Sequence, residues 1–215
     1  MIRIPIPAVL LVLFFSAILL RGEQKFSHPV HLKRGDLECN DCHGSVSDSK
    51  VSGDDNFPQV ETCVQCHDGT RAVAIDPAEF RWKPVERTFR FDHQFHLRLG
   101  NLAPLLASAI DSGRYLGRVG GIRKHLATEN QCEACHRGLA ERDDHGMPQM
   151  SDCLVCHSEI DNPFSCETCH LEGIQLRPEN HTMEFVDGHA SKEFEYDKTT
   201  CLPCHGTNFS CRGCH

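Results

Sequence analysis

Apolar residues are spread very unevenly along the chain. From Ile4 to Leu20 only Pro5, Pro7 and Ser16 interrupt them, and Arg3 stands before the run. A short cationic start leading into Ala8–Leu20 has the build of an export signal, although no A-x-A cleavage site follows. Leu20-Arg21-Gly22 ahead of Glu23 is the best cleavage position, so residues 1–22 read as a signal peptide. The run also approaches membrane-spanning length, and a retained N-terminal anchor is the alternative. Either way the remaining chain is expected in the periplasm or outside the cell. Beyond residue 22 periodic patterning nearly disappears. One segment restores it: Leu102, Leu105, Leu106, Ala109 and Ile110 form a stripe of helical period, which predicts a helix over Leu102 to Leu116. Asn101 is its expected N-cap and Gly117 its expected stop.

Composition turns this sparse pattern into a problem. Outside residues 1–22 the chain keeps only 55 apolar side chains other than cysteine, about 28% of its positions. Globular domains run nearer half apolar, so these side chains alone make a poor core. Disorder would explain the polarity, but disordered chains are not rich in cysteine and histidine, and this one has 14 and 15. The formal charge of −8 argues against nucleic acid, whose phosphates need a basic face.

The cysteines supply the answer. All 14 fall in C-x-x-C pairs, and each pair is followed at once by histidine. The pairs are Cys39 and Cys42 with His43, Cys63 and Cys66 with His67, and Cys132 and Cys135 with His136. Cys153 and Cys156 with His157, and Cys166 and Cys169 with His170, come next. Cys201 and Cys204 with His205, and Cys211 and Cys214 with His215, complete the seven. C-x-x-C-H is the c-type haem attachment signal: two thiols one turn apart bond the vinyl groups, and the next residue meets the iron. Disulfide staples suit an exported chain but leave the histidines unexplained. Zinc ribbons would leave one pair without a partner, and thioredoxin-like redox pairs need a βαβ setting that is absent here. The reading is therefore seven covalent c-type haems. The porphyrins then replace the missing core, and the fold expected is mostly irregular, with short α-helices wrapped around haem and little or no β.

Internal repeats divide the chain. Phe26-Ser-His28-Pro-Val-His31-Leu32 matches Phe91-Asp-His93-Gln-Phe-His96-Leu97 as F-x-H-x-x-H-L. Pro58-Gln precedes Cys63 as Pro148-Gln precedes Cys153, and Phe164-Ser and Phe209-Ser precede Cys166 and Cys211. A dihaem module over 26–70, a trihaem module over 91–170 with a helical insertion at 99–126, and a dihaem module over 181–215 follow. Residues 71–90 connect the first two. Arg81, Lys83, Arg87 and Arg90 in that connector are expected to pair with haem propionates rather than dock a partner. Trp82 is expected to pack on a porphyrin.

Seven histidines are proximal, and eight remain for seven sixth positions: His28, His31, His93, His96, His125, His145, His181 and His189. Histidines three apart on a helical turn point the same way and can serve two haems. His145 lies between the first two attachment sites of the trihaem module, where an extra distal ligand is required, so His125 reads as the spare packing residue.

In these patterns the sequence resembles the class III multihaem cytochromes, low-potential tri- and tetrahaem electron carriers. F-x-H-x-x-H ahead of C-x-x-C-H is their opening pattern, and residues 91–170 repeat the trihaem layout. The resemblance implies bis-histidine haems with little regular structure. The insertion, the missing third haem of module one and the total of seven depart from it. The function expected is single-electron transfer between redox-protein donors and acceptors, with no catalytic residue and no reaction of its own. A membrane quinol-oxidising complex and an outer-membrane conduit are candidate partners, and an end-to-end homo-oligomer or filament is a variant. The alternatives are a nitrite- or hydroxylamine-type reductase with one open iron, and a membrane-anchored quinol-oxidising cytochrome. All seven motifs end in histidine, which disfavours the open iron.

Overall fold

The computed structural model describes residues 26–34, 36–76, 87–142, 146–157, 166–176, 181–188, 199 and 201–205. Residues 1–22, Arg81, Trp82, Lys83, His145, His189 and the attachment site at Cys211, Cys214 and His215 lie outside them. Among the described residues there are short helices and a single isolated bridge, with no extended sheet. That is the mostly irregular, helical fold expected. None of these helices is long and apolar enough to cross a membrane.

Helix α1 (His28–Arg34) is followed by α2 (Cys39–Cys42), a 3₁₀ turn (Gly44–Asp48) and α3 (Val60–Val64). Then come α4 (His93–Arg98), α5 (Ala103–Asp111), a second 3₁₀ turn (Ile122–Leu126) and α6 (Met150–Leu154). Helices α7 (Met183–Gly188) and α8 (Leu202–His205) close the set. Most span one or two turns, too few to be stable by propensity, so tertiary contacts must hold them. Helix α4 starts cleanly because the Asp92 carboxylate accepts from Phe95 N–H at 2.7 Å.

The insertion does fold as a helix, but a shorter one than the periodicity suggests. Helix α5 stops at Asp111, and Gly113 at φ +70° terminates it instead of Gly117. Arg114 N–H bonds Ala109 C=O at 2.8 Å and Gly113 N–H bonds Ile110 C=O at 3.0 Å, the paired closure of a Schellman motif. Asn101 still serves the helix start, accepting from Ala103 N–H at 3.0 Å. The buried stripe is rotated: Ala103, Leu106, Ala107 and Ala109 are buried, whereas Leu105 is 53% exposed. Leu106 and its neighbours pack on Leu126 and on Ala134, which lies inside the third attachment motif. The largest apolar cluster among the described residues therefore joins the insertion to a C-x-x-C-H turn.

Gly117 has another role. A Cβ there would collide with Ser151 and with the Tyr115 ring, so glycine permits the loop to lie against α6. Beneath it is a buried polar knot. Arg137 directly follows the third motif, and Asp152 directly precedes Cys153 of the fourth. Arg137 Nη2 meets Asp152 Oδ2 at 2.5 Å and Arg137 Nη1 donates to Ala134 C=O at 2.7 Å. Tyr115 O–H donates to Asp152 Oδ1 at 2.8 Å, and Gln149 N–H donates to Asp152 Oδ2 at 2.7 Å. Burial, reinforced by that carboxylate, pushes the Tyr115 phenol far above its usual value.

Removing one side of a buried ion pair strands the other charge. Asp152→Ala is therefore expected to lower unfolding stability by about 3 kcal/mol, against about 1 kcal/mol for Tyr115→Phe. Denaturant titrations of the haem-loaded protein measure both.

Candidate functional site

The C-x-x-C-H motif is itself one turn of helix. In six copies the histidine N–H returns to the carbonyl of the first cysteine. The bonds are His43 to Cys39, His67 to Cys63, His136 to Cys132, His157 to Cys153, His170 to Cys166 and His205 to Cys201, all 2.8–2.9 Å. Each turn gathers two thiols and an imidazole on one local scaffold, which is what attachment to a single porphyrin needs.

A second histidine faces the histidine of four of these turns. The rings of His28 and His43 are 6.4 Å apart at 16°, and those of His31 and His67 are 6.0 Å apart at 46°. His96 faces His157 at 6.3 Å and 53°, and His181 faces His205 at 6.4 Å and 1°. These separations fit one metal ion between two imidazoles: two bonds of about 2 Å plus roughly 1.1 Å from each nitrogen to its ring centre give about 6.2 Å. Direct ring stacking would be closer.

The phenylalanine of F-x-H-x-x-H has a role that the repeat alone did not disclose. Phe26 meets His28 edge-on at 4.8 Å and stacks on His31 at 4.6 Å. Phe91 reproduces both contacts with His93 and His96, at 4.7 and 4.4 Å. One ring thus braces two ligand candidates. His181 obtains the same brace from Phe185, four residues later, at 4.8 Å and 14°.

Main-chain carbonyls fix the outer ring nitrogens. His31 Nδ1 lies 2.7 Å from Ser27 C=O and His96 Nδ1 lies 2.7 Å from Asp92 C=O, one turn back in each case. His43 uses Asn56 C=O and His67 uses Val73 C=O, both at 2.8 Å, while His136 uses Gly146 C=O at 3.2 Å. A carbonyl only accepts, so Nδ1 carries the proton and Nε2 keeps the lone pair a metal requires. Burial first, and then the charge of His136, holds the His93 imidazole below its usual value. His170 Nδ1 is buried without a hydrogen-bond partner among the described residues. His125 is half-buried beside Glu141, with Nε2 3.9 Å from the carboxylate. His145, the residue expected to serve the trihaem module, lies outside the described residues.

Some attachment turns that are distant in sequence are neighbours in space. The Cys42 thiol is pushed up by burial and by nearby Cys63 and Cys66. Asn130 Nδ2 donates to Cys39 sulfur at 3.5 Å, and Cys132 first, then Asn130, holds the Cys39 thiol below its usual value. Burial, then Asp152, pushes Cys135 up to about 11, with Cys153 and Cys156 adding to it. Cys153 is raised by burial, Asp152 and Cys169, and Cys204 by burial and Cys166. Direct contacts join the first turn to the third through Cys39 and Asn130, the third to the fourth through Arg137 and Asp152, and the fourth to the sixth through α6 and α8.

Residues 24–82 match the family model described as cytochrome c7 and related cytochrome c. Over 165 residues the chain is 27% identical to the menaquinone reductase, multiheme cytochrome c subunit, of Nitratidesulfovibrio vulgaris (strain Hildenborough), covering 62% of this chain and 75% of that protein. No solved structure matches.

One turn beside the site is pH-sensitive. Main-chain N–H groups of Val51 and Lys50 hold the Asp54 carboxyl below its usual value, at 3.1 and 2.9 Å. A depressed carboxyl contributes stability that is complete above its unfolded value, about 4, and is lost as pH falls through the lower folded value. Amide exchange at Lys50 and Val51 is expected to lose protection over that acid interval, and Asp54→Asn is expected to remove the pH step.

Proposed function

We propose that this chain, a multihaem c-type cytochrome binding covalent haem c, holds seven haems and carries single electrons between redox partners in the periplasm. When bound, haem c supplies reversible one-electron iron chemistry. The protein's own part is to anchor, orient and enclose. Each C-x-x-C turn anchors, and the histidine that follows supplies one axial nitrogen. His28, His31, His93, His96, His145, His181 and His189 are assigned as the second ligands, and His125 as the spare. The observation that carries this reading is the set of opposed imidazole pairs at 6.0–6.4 Å. A site with a histidine on each side leaves no position for a substrate, which favours a carrier over a reductase.

The contacts of the first turn with the third, the third with the fourth and the fourth with the sixth support conduction through the chain. The relative's printed name gives the reading a partner class: a menaquinone reductase, to which this chain would contribute a multihaem cytochrome c subunit. Residues 26–70, 91–170 and 181–215 are proposed as the dihaem, trihaem and dihaem modules, and residues 1–22 as the export segment.

Intact-mass analysis of the exported protein is expected to show seven haems, and its oxidised spectrum low-spin iron throughout. Five or fewer haems would overturn the count. A substantial high-spin signal with rapid cyanide binding would favour the reductase. His145→Ala is expected to turn one haem's share of the iron high-spin while His125→Ala leaves the spectrum unchanged; the reverse result would exchange the two assignments.

A further inference from the structure

The outer-nitrogen partners of the histidines are not alike. His31, His43, His67 and His96 hold Nδ1 at 2.7–2.8 Å from main-chain carbonyls. His93 differs in chemistry and in distance: its Nδ1 lies 3.4 Å from the hydroxyl of Ser49. Ser49 is only 3% exposed and sits where residues 26–70 meet α4, its carbonyl accepting from Gln94 N–H at 2.9 Å. The hydroxyl is otherwise engaged. It accepts from Asn56 Nδ2 at 3.1 Å and sends its own hydrogen toward Val51 C=O at 3.5 Å. A hydroxyl has one hydrogen and two lone pairs, so one lone pair remains and His93 Nδ1–H points at it. Asn56 C=O in turn holds His43, so a single polar chain links ligand candidates of the first and third attachment sites.

An acceptor on the outer nitrogen makes a ligating imidazole more basic and so stabilises oxidised metal, and second-shell hydrogen bonding is one of the levers on haem potential. A bond at 3.4 Å lies beyond the usual range and transfers little basicity. At the third site His136 has the longest of the carbonyl contacts, 3.2 Å. At the second site both candidates, His31 and His67, are tied at 2.7 and 2.8 Å. We propose that Ser49 is a positioning residue that, through the weak acceptor it presents to His93, sets the third haem at a higher potential than the second. The proposal rests on the assignment of His93 as the axial ligand that shares the third haem with His136.

Potentiometric titration of the fully loaded protein, followed optically and by electron paramagnetic resonance, tests it. His93→Ala and His31→Ala identify the third and second components, because each is expected to turn one iron high-spin. In the unaltered protein the third component is expected to titrate above the second. Ser49→Ala removes the acceptor and is expected to raise the third component further, with haem count, low-spin signature and the other components retained; Ser49→Thr keeps the hydroxyl and is expected to restore the original value. Unchanged potentials in Ser49→Ala, or a third component below the second, would overturn the proposal while leaving ligation by His93 intact. Loss of haem from Ser49→Ala without a potential shift would make Ser49 a packing residue and overturn it too. Low-spin iron throughout His93→Ala would overturn the ligand assignment, and the proposal with it.

Discussion

An imidazole can bind a metal only through a nitrogen that carries no proton, and in this protein the main chain decides which nitrogen is left bare. Carbonyls of Ser27, Asn56, Val73, Asp92 and Gly146 each take the Nδ1 proton of one histidine and leave Nε2 exposed. Much of the local architecture serves that requirement. Helices α1 and α4 are barely long enough to bring a carbonyl back under His31 and His96, and they need be no longer. The loops after the first two attachment turns run outward just far enough to present Asn56 to His43 and Val73 to His67. Phenylalanines then remove the remaining rotational freedom of the distal rings.

The second constraint is the shortage of apolar side chains. A chain this polar cannot gather its motifs around a conventional core, and the described residues have little of one. What they have lies between the insertion and the third attachment turn, where Leu106 and Leu126 close over Ala134. The Arg137–Asp152 pair adds a buried, directional contact between the third and fourth turns. Its two residues flank successive motifs, so whatever holds them together also sets the spacing of those motifs. Ser49 does the equivalent at the junction between residues 26–70 and 91–170.

Features dictated by near neighbours were legible in the sequence; features made by distant ones were not. C-x-x-C-H announces its helical turn because the His-to-Cys bond spans four residues. F-x-H-x-x-H likewise carries its own geometry, although only the structure shows Phe26 and Phe91 bracing both histidines. The helix at 103–111 was visible in its period, but its end was not. The sequence pointed to Gly117 as the stop, whereas Gly113 closes the helix at φ +70° and Gly117 instead lies against Ser151. The exposure of Leu105 is likewise invisible to a stripe drawn on one helix, because Leu126 and Ala134 decide which face turns inward. The spatial order of the attachment turns depends on contacts such as Cys39 with Asn130, 91 residues apart.

The isolated bridge between Phe89 and His170 has a topological consequence. Arg90 N–H bonds Cys169 C=O at 2.5 Å and Leu171 N–H bonds Thr88 C=O at 3.2 Å, so the chain enters and leaves residues 91–170 at one point. A segment whose ends already touch can be spliced into a host, or cut from it, with only a short joint and little disturbance of what flanks it. Residues 91–170 therefore have the form of a cassette. Growth by such insertions would lengthen a cytochrome without unpicking the turns already in place.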